Sequence, residues 1–272
     1  MNIYTVETAT GATLADAYAL HPDREEAARL LAGLRERVAA GHATPEQVLI
    51  LRSDEGVRGV VVIPPNPHVP LFPRLRRDTP AEQMTAFLRV LREQVSGTPQ
   101  RQLLLDDRLA PLEPMPAEAA GWVSDAPAHV MYQTDLRARP YPVAPETVEG
   151  GDELRQRPEI AALLDILGQS DWEGGEDWTL VAVPDPDGRP IALGAFGPSG
   201  RPGWVNLNMI GVHPEARGQG HGTRLHAHLL SRAAERFTTH GGGTEAGNHA
   251  MRRIYQKNGS RHVATQLYFR PG

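Results

Sequence analysis

Apolar positions 160, 163, 164 and 167 recur at three- and four-residue steps, the spacing of one helix face, and predict a short helix over 158–167. Two apolar runs, 178–183 and 191–196, flank Pro184-Asp185-Pro186-Asp187-Gly188, whose residues preset φ or tolerate positive φ, so the segment reads as a hairpin. A further strand over 204–212 alternates apolar and polar before turning wholly apolar, and runs into a glycine-rich loop. From Gly222, one helix face carries Leu225, Leu229, Leu230, Ala233, Ala234 and Phe237, while Arg224, Arg232, Glu235 and Arg236 lie opposite. A second helix, from about His249 to Lys257, is stopped by Asn258-Gly259. The second half therefore reads helix, hairpin, strand, glycine loop, helix, short strand, helix, strand.

The first half has a similar order. A helix is expected over 24–40, strands over 48–51 and 57–63 around the turn Ser53-Asp54-Glu55-Gly56, a helix over 80–94, a strand over 102–105, a helix over 116–120 and a strand over 129–132. The turn glycines Gly56 and Gly188 lie 132 residues apart, which suggests a weak internal duplication; two unrelated α/β domains would give the same succession. Where the second half has its glycine loop, the first has 71–78 (LFPRLRRD), without glycine. Three prolines within 140–145 keep the chain extended, so domains are expected at 1–138 and 139–272.

Composition narrows the chemistry. The chain has 272 residues and no Cys, which excludes disulfides, thiolate metal sites and a cysteine nucleophile. Of 28 basic residues, 27 are Arg and only Lys257 is Lys; a phosphate loop ending Gly-Lys-Ser/Thr is therefore excluded, and with it Walker-type ATP hydrolysis. The net charge of −5 is spread evenly over both halves, so no nucleic-acid surface is expected. The N-terminus Met1-Asn2-Ile3-Tyr4 begins no leader pattern and no apolar run approaches the ~18 residues of a membrane span, so a cytoplasmic protein without membrane contact is expected. His221, His226 and His228 do not read as a metal site, because helix positions two apart face opposite sides.

The informative segment runs from Ile210 to Leu225 and joins an apolar strand to an amphipathic helix. Gly218, Gly220 and Gly222 let backbone N–H groups approach an anion, the helix N-terminus adds partial positive charge, and Arg217 a full one; the loop suits a pyrophosphate. It is not the dinucleotide pattern Gly-x-Gly-x-x-Gly, since counting from Gly218 the third glycine falls at 222 and position 223 is Thr. Val212-His213-Pro214 followed by Arg217-Gly218-Gln219-Gly220-His221-Gly222 instead resembles the acyl-CoA loop of the GNAT superfamily of N-acyltransferases. A second family motif, an Asn ending a strand and then a helix carrying Tyr and Gly, stands as Asn248, Tyr255 and Gly259. One departure is Ser260, where the family usually has a bulky aromatic.

The resemblance covers roughly residues 145–272. It implies an α/β (α+β) fold with a mixed, mostly antiparallel twisted sheet flanked by helices, in tandem if the first half is a degenerate copy lacking the pyrophosphate loop. It also implies acetyl-CoA held by Ile210, Gly211, Val212, Arg217, Gly218, Gln219, Gly220, His221, Gly222, Thr223, Asn248 and Tyr255, with no metal. A backbone N–H near Ile210–Val212 would polarise the thioester carbonyl, and Tyr255 would protonate the leaving thiolate. The alternative for Tyr255 is a core tyrosine one turn after Met251, and Asn248 reads equally as a helix N-cap, a role that does not exclude the first. For the base, Glu245 and His213 are candidates, and both also read as solvated. The acidic stretch Asp171–Asp177 is either a wall for a cationic amine or plain surface. Two function classes follow: an N-acetyltransferase, monomeric or homodimeric, acting on a primary amine of a small molecule or peptide, and a non-catalytic acyl-CoA sensor or partner-binding module.

Overall fold

The computed structural model describes residues 3–272; Met1 and Asn2 of the N-terminal segment lie outside the described residues. The chain forms two compact units, one from the residues up to His129 together with Ala264–Gly272, the other Val130–Val263. The division thus falls nine residues before the boundary expected at 138/139, and the last nine residues, expected in the second domain, belong to the first unit. The reason is that two long strands, Trp122–Asp135 and Arg261–Pro271, run through the division points, so the proline-rich segment after residue 139 lies inside a unit.

In the first unit β1 (Tyr4–Thr8), β2 (Val48–Ser53), β3 (Gly56–Val62) and the two-residue β4 (Arg74–Leu75) make an antiparallel sheet in that order. Helices α1 (Arg24–Ala39), α2 (Ala81–Gln94) and α3 (Pro114–Ala119) complete it, with β5 (Leu103–Asp106) and the start of β6 (Trp122–Asp135). Side chains of β2 alternate between two cores: Leu49 and Leu51 meet Phe87, Leu88 and Leu91 of α2, whereas Val48 and Ile50 face Leu34 of α1. A strand apolar on both faces is what a sheet covered by helices on either side requires. Leu103–Asp106 pairs antiparallel with Gln266–Phe269 of the last strand, which places Phe269 in this core.

In the second unit the order is β7 (Val148–Gly150), α4 (Asp152–Arg155), α5 (Pro158–Ile166), β8 (Thr179–Pro184), β9 (Pro190–Pro198), β10 (Trp204–Val212), α6 (His221–Ala233), β11 (Thr239–Glu245), α7 (His249–Lys257) and the start of β12 (Arg261–Pro271). Strands β7 to β10 pair antiparallel in sequence, and β11 joins β10 in parallel. Val181, Val183 and Phe196 pack under Leu225, Leu229 and Leu230 of α6, while Leu180, Ala182 and Leu193 face Ile160, Leu163 and Leu164 of α5. The helix α6 comes close to the sheet because β9 has no side chain at Gly194: a Cβ there would lie 2.8 Å from Leu229. No helix among the described residues is long and apolar enough to cross a membrane.

Leu229 is fully buried in that contact. Leu229→Ala should cost about 2–5 kcal/mol and lower the melting temperature by on the order of 10 °C; a shift below 2 °C in thermal unfolding would contradict the assigned core.

Candidate functional site

Parallel strands β10 and β11 are paired only at their beginnings, Trp204–Asn206 against Thr239–Gly241, and then part. A bulge in β10 accompanies the parting. Met209 and Ile210 together stand opposite the single residue Gly194 of β9, because the register shifts between Asn208 and Gly211. Met209 adopts φ 55°, a left-handed conformation that costs a non-glycine residue energy. Asn208 stabilises it locally, its Oδ1 accepting from the Met209 N–H at 2.8 Å. The bulge therefore removes part of the backbone of β10 from the sheet ladder at the fork.

Beyond Val212 the chain makes a short turn, Pro214–Ala216, and enters α6 through Gly218 and Gly220, at φ 79° and 86°. Neither glycine has a neighbour within 4 Å of where a Cβ would sit, so the loop backbone is open to an incoming group. Arg217 is anchored at the strand end, its Nε donating to the Val212 carbonyl at 3.1 Å. Gly222 serves a different purpose from the one its spacing suggests. A Cβ there would meet Ile254 at 3.0 Å, so this glycine lets α7 close over the loop.

A cavity of about 540 Å³ lies between the parted end of β10, the glycine loop and α7. Of the sequence-predicted ligands it brings together Ile210, Gly211, Val212, Arg217, Gly218, Gly220, His221, Gly222, Thr223 and Asn248. Asn248 also caps α7, its side chain accepting from the Met251 N–H at 3.0 Å. Its neighbours Arg253 and Lys257, which the motifs did not mark, line the same cavity with Ala250 and Ile254. Positions 250, 253, 254 and 257 share one helix face, and that spacing was the available signal. Three cations and no carboxylate line the cavity, as an anionic, phosphate-rich ligand needs.

The remaining candidates lie elsewhere. Gln219 and His213 line a neighbouring cavity of about 600 Å³ with Arg189 and Glu215, and His213 Nε2 is 3.1 Å from Arg189. Glu245 is exposed at the end of β11. Tyr255 is 2% exposed, stacked on Tyr132 at 4.4 Å between ring centroids and set edge-on to His226. Burial, with Tyr132 beside it, pushes its hydroxyl up to about 12. The hydroxyl lies against Gly242, one residue past the last paired residue of β11. Ser260 Oγ lies 2.8 Å from Thr134 Oγ1, a hydrogen bond between two buried hydroxyls. The carboxylates of Asp171–Asp177 are all exposed. The three histidines of α6 turn to separate partners: His221 to Arg224, His226 to Asn258, His228 to Glu149.

Residues 139–259 match the acetyltransferase (GNAT) family. Among solved structures, a GCN5-related N-acetyltransferase from Sphaerobacter thermophilus superposes with a TM-score of 0.53 at 12% identity, over 99% of this chain and 96% of that one. A GCN5-related N-acetyltransferase from Kribbella flavida gives 0.51 at 16%, over 79% and 87%. An acetyltransferase of the GNAT family from Colwellia psychrerythraea gives 0.50 at 12%, over 98% and 100%. At these identities the likeness concerns the fold. No curated protein sequence matches the chain significantly.

Two predictions follow from the site's cations and imidazoles. Lys257 carries the only ε-amine of the chain, so amine-selective labelling mapped by peptide mass should modify it and CoA should protect it; equal labelling with saturating CoA would place Lys257 outside the binding site. His226 and His240 are driven down to about 3 and about 4, chiefly by burial, whereas an unfolded imidazole titrates near ~6.5. Below pH 6.5 the unfolded chain therefore binds more protons, and stability present above that pH is lost as pH falls toward 4 and 3. Urea midpoints should decline over that window, and His240→Gln should flatten the decline; an unchanged slope would contradict the buried, neutral imidazoles.

Proposed function

We propose that this chain, whose residues 139–259 form a domain of the acetyltransferase (GNAT) family, moves an acetyl group from acetyl-CoA to a primary amine of a small molecule or peptide by direct attack. The observation that carries this reading is the fork between β10 and β11 opening onto a glycine loop with three cations and a helix N-terminus. The amides after Arg217 and the first turn of α6 are suited to a pyrophosphate, because donors and partial charge converge there. Arg217, Arg253 and Lys257 supply full charges for the remaining phosphate.

In this reading the bulged backbone of β10 takes the place of a neighbouring strand toward the pantetheine arm, and an N–H at Ile210–Val212 donates to the thioester oxygen. Such a preorganised donor gains most as the oxygen becomes negative. Tyr255 holds its proton at every working pH and donates it to the departing sulfur. The amine must lose its proton before attack, since at pKa near ~10.4 only about one molecule in 10³ is neutral at pH 7. The first unit, with a two-residue β4 and no glycine loop at the equivalent place, is a degenerate copy without acyl-CoA chemistry.

A specific observation favours a second reading, a non-catalytic acyl-CoA sensor: no carboxylate lines the cavity, and the Tyr255 hydroxyl is buried with a raised pKa. The two readings separate in one pair of experiments. Calorimetric titration should show saturable acetyl-CoA binding, weakened at least tenfold by Arg217→Glu; absence of saturable binding by the native chain would overturn both. CoA release across polyamines, aminoglycosides, amino acids and peptide N-termini should identify an acceptor; binding without release would leave the sensor.

A further inference from the structure

Behind Tyr255 lies a buried chain of polar side chains, His240, Thr134 and Ser260, that the reaction does not use. The position a Cβ would take on Gly242 is 2.7 Å from Tyr255 Oη and 2.9 Å from His240 Nε2, so these two atoms are at most 5.6 Å apart. That bound lies within the reach of one bridging water with two ordinary hydrogen bonds. On its other side the His240 ring meets Thr134, with Nδ1 3.1 Å from Oγ1, and Thr134 Oγ1 is 2.8 Å from Ser260 Oγ. Ser260 stands between Gly259 and Arg261, which line an open pocket with Asp135 and Arg139. The chain thus runs from the Tyr255 hydroxyl to Ser260, which is buried one residue from the lining of that pocket.

Two further facts bear on the direction of the chain and on the room for a bridging water. Asn258 Nδ2 donates to the Thr223 carbonyl at 3.0 Å and to His226 Nδ1 at 2.8 Å, so the proton of the neutral His226 ring sits on Nε2. Among the described residues, His226 Nε2 and His240 Nε2 are both buried without a hydrogen-bond partner, a costly state that a water shared with Tyr255 relieves. The titratable groups facing His240 are His226 from α6 and Tyr255 from α7, with Tyr132 of β6 stacked on Tyr255 and His262 of β12 beyond it.

We infer that Tyr255, a bound water, His240, Thr134 and Ser260 form a proton relay linking the reacting centre to the pocket beside Gly259. The relay rests on the transferase reading. The amine enters neutral, its ammonium proton already lost to bulk solvent; as it attacks, the proton its nitrogen sheds on becoming the amide passes to Tyr255 Oη while the tyrosine proton moves to the water. The water protonates His240 Nε2, and the Nδ1 proton goes through Thr134 and Ser260 to solvent. When the C–S bond breaks, Tyr255 gives its proton to the sulfur and the same steps run in reverse. One proton leaves, one enters, and every relay group returns to its starting state. His240 acts as a neutral imidazole that exchanges tautomers, and Ser260 supplies the outer hydroxyl where the family has an aromatic ring.

The test uses the full chain with an acceptor found by CoA release. Thr134→Val removes the hydroxyl while keeping the shape; it should lower kcat at least tenfold, leave the KM and Kd for acetyl-CoA within twofold, and abolish a curved proton inventory in mixed H2O and D2O. Thr134→Ser should restore kcat and curvature. If Thr134→Val does not fold, Ser260→Ala should give the same split. Native kcat and curvature in a folded variant lacking either hydroxyl would overturn the relay while the transferase stands. Acetyl-CoA binding with no CoA release from any amine would overturn the transferase reading and the relay together.

Discussion

Two parallel strands that pair for three residues and then separate are the constraint on which the site depends. A strand edge inside a protein must find partners for its amides and carbonyls, or meet water or a ligand. Here the bulge at Met209 and Ile210 turns part of β10 out of the ladder with β9, and β11 no longer covers it from the other side. The strain recorded at Met209 is maintained because the sheet on one flank and α6 on the other are fixed by fully buried side chains, Leu193, Leu225 and Leu229 among them. An unpaired strand edge with a preset curvature accepts an extended, amide-bearing ligand as it would accept a strand.

The electrostatics reinforce the shape. Three cations line the cavity, one from the loop and two from one face of α7. His226 and His240, both buried, stay uncharged, and Tyr255 keeps its proton. A phosphate-bearing ligand is thus drawn to the surface charges, while the reactive end enters an environment where a proton cannot be stored on a charged side chain. Proton movement in such a place proceeds more readily by exchange along hydrogen bonds than by ionising a buried base, which has a large desolvation cost.

Much of this was legible in the sequence, for physical reasons that differ between elements. Helix α7 and strand β10 follow their patterns to the residue, since a stop signal at Asn258-Gly259 and an apolar run into a glycine loop leave few alternatives. Strand β6 is fourteen residues long where four were expected, because Pro127 and the polar stretch before it break the local pattern and the pairing is supplied by distant segments. The compact units divide away from the proline-rich segment for the same cause: proline marks stiffness, and says nothing of which core a later strand will join. The glycine loop was readable because positive φ at Gly218 and Gly220 is a local requirement. The burial of Tyr255 and the hydrogen bonds of His240 were not, since they arise from residues more than 100 positions apart, such as Thr134 and His240.

The account is tested most directly by amide hydrogen exchange with and without saturating CoA. Protection should increase at 217–223, where the loop enters α6, and along the parted stretches 208–212 and 242–248, with the hairpin of β8 and β9 unchanged. Ligand binding that leaves exchange at 217–223 unaltered, or that protects only segments away from the fork, would contradict the proposal that the parted strands and their glycine loop are the binding site.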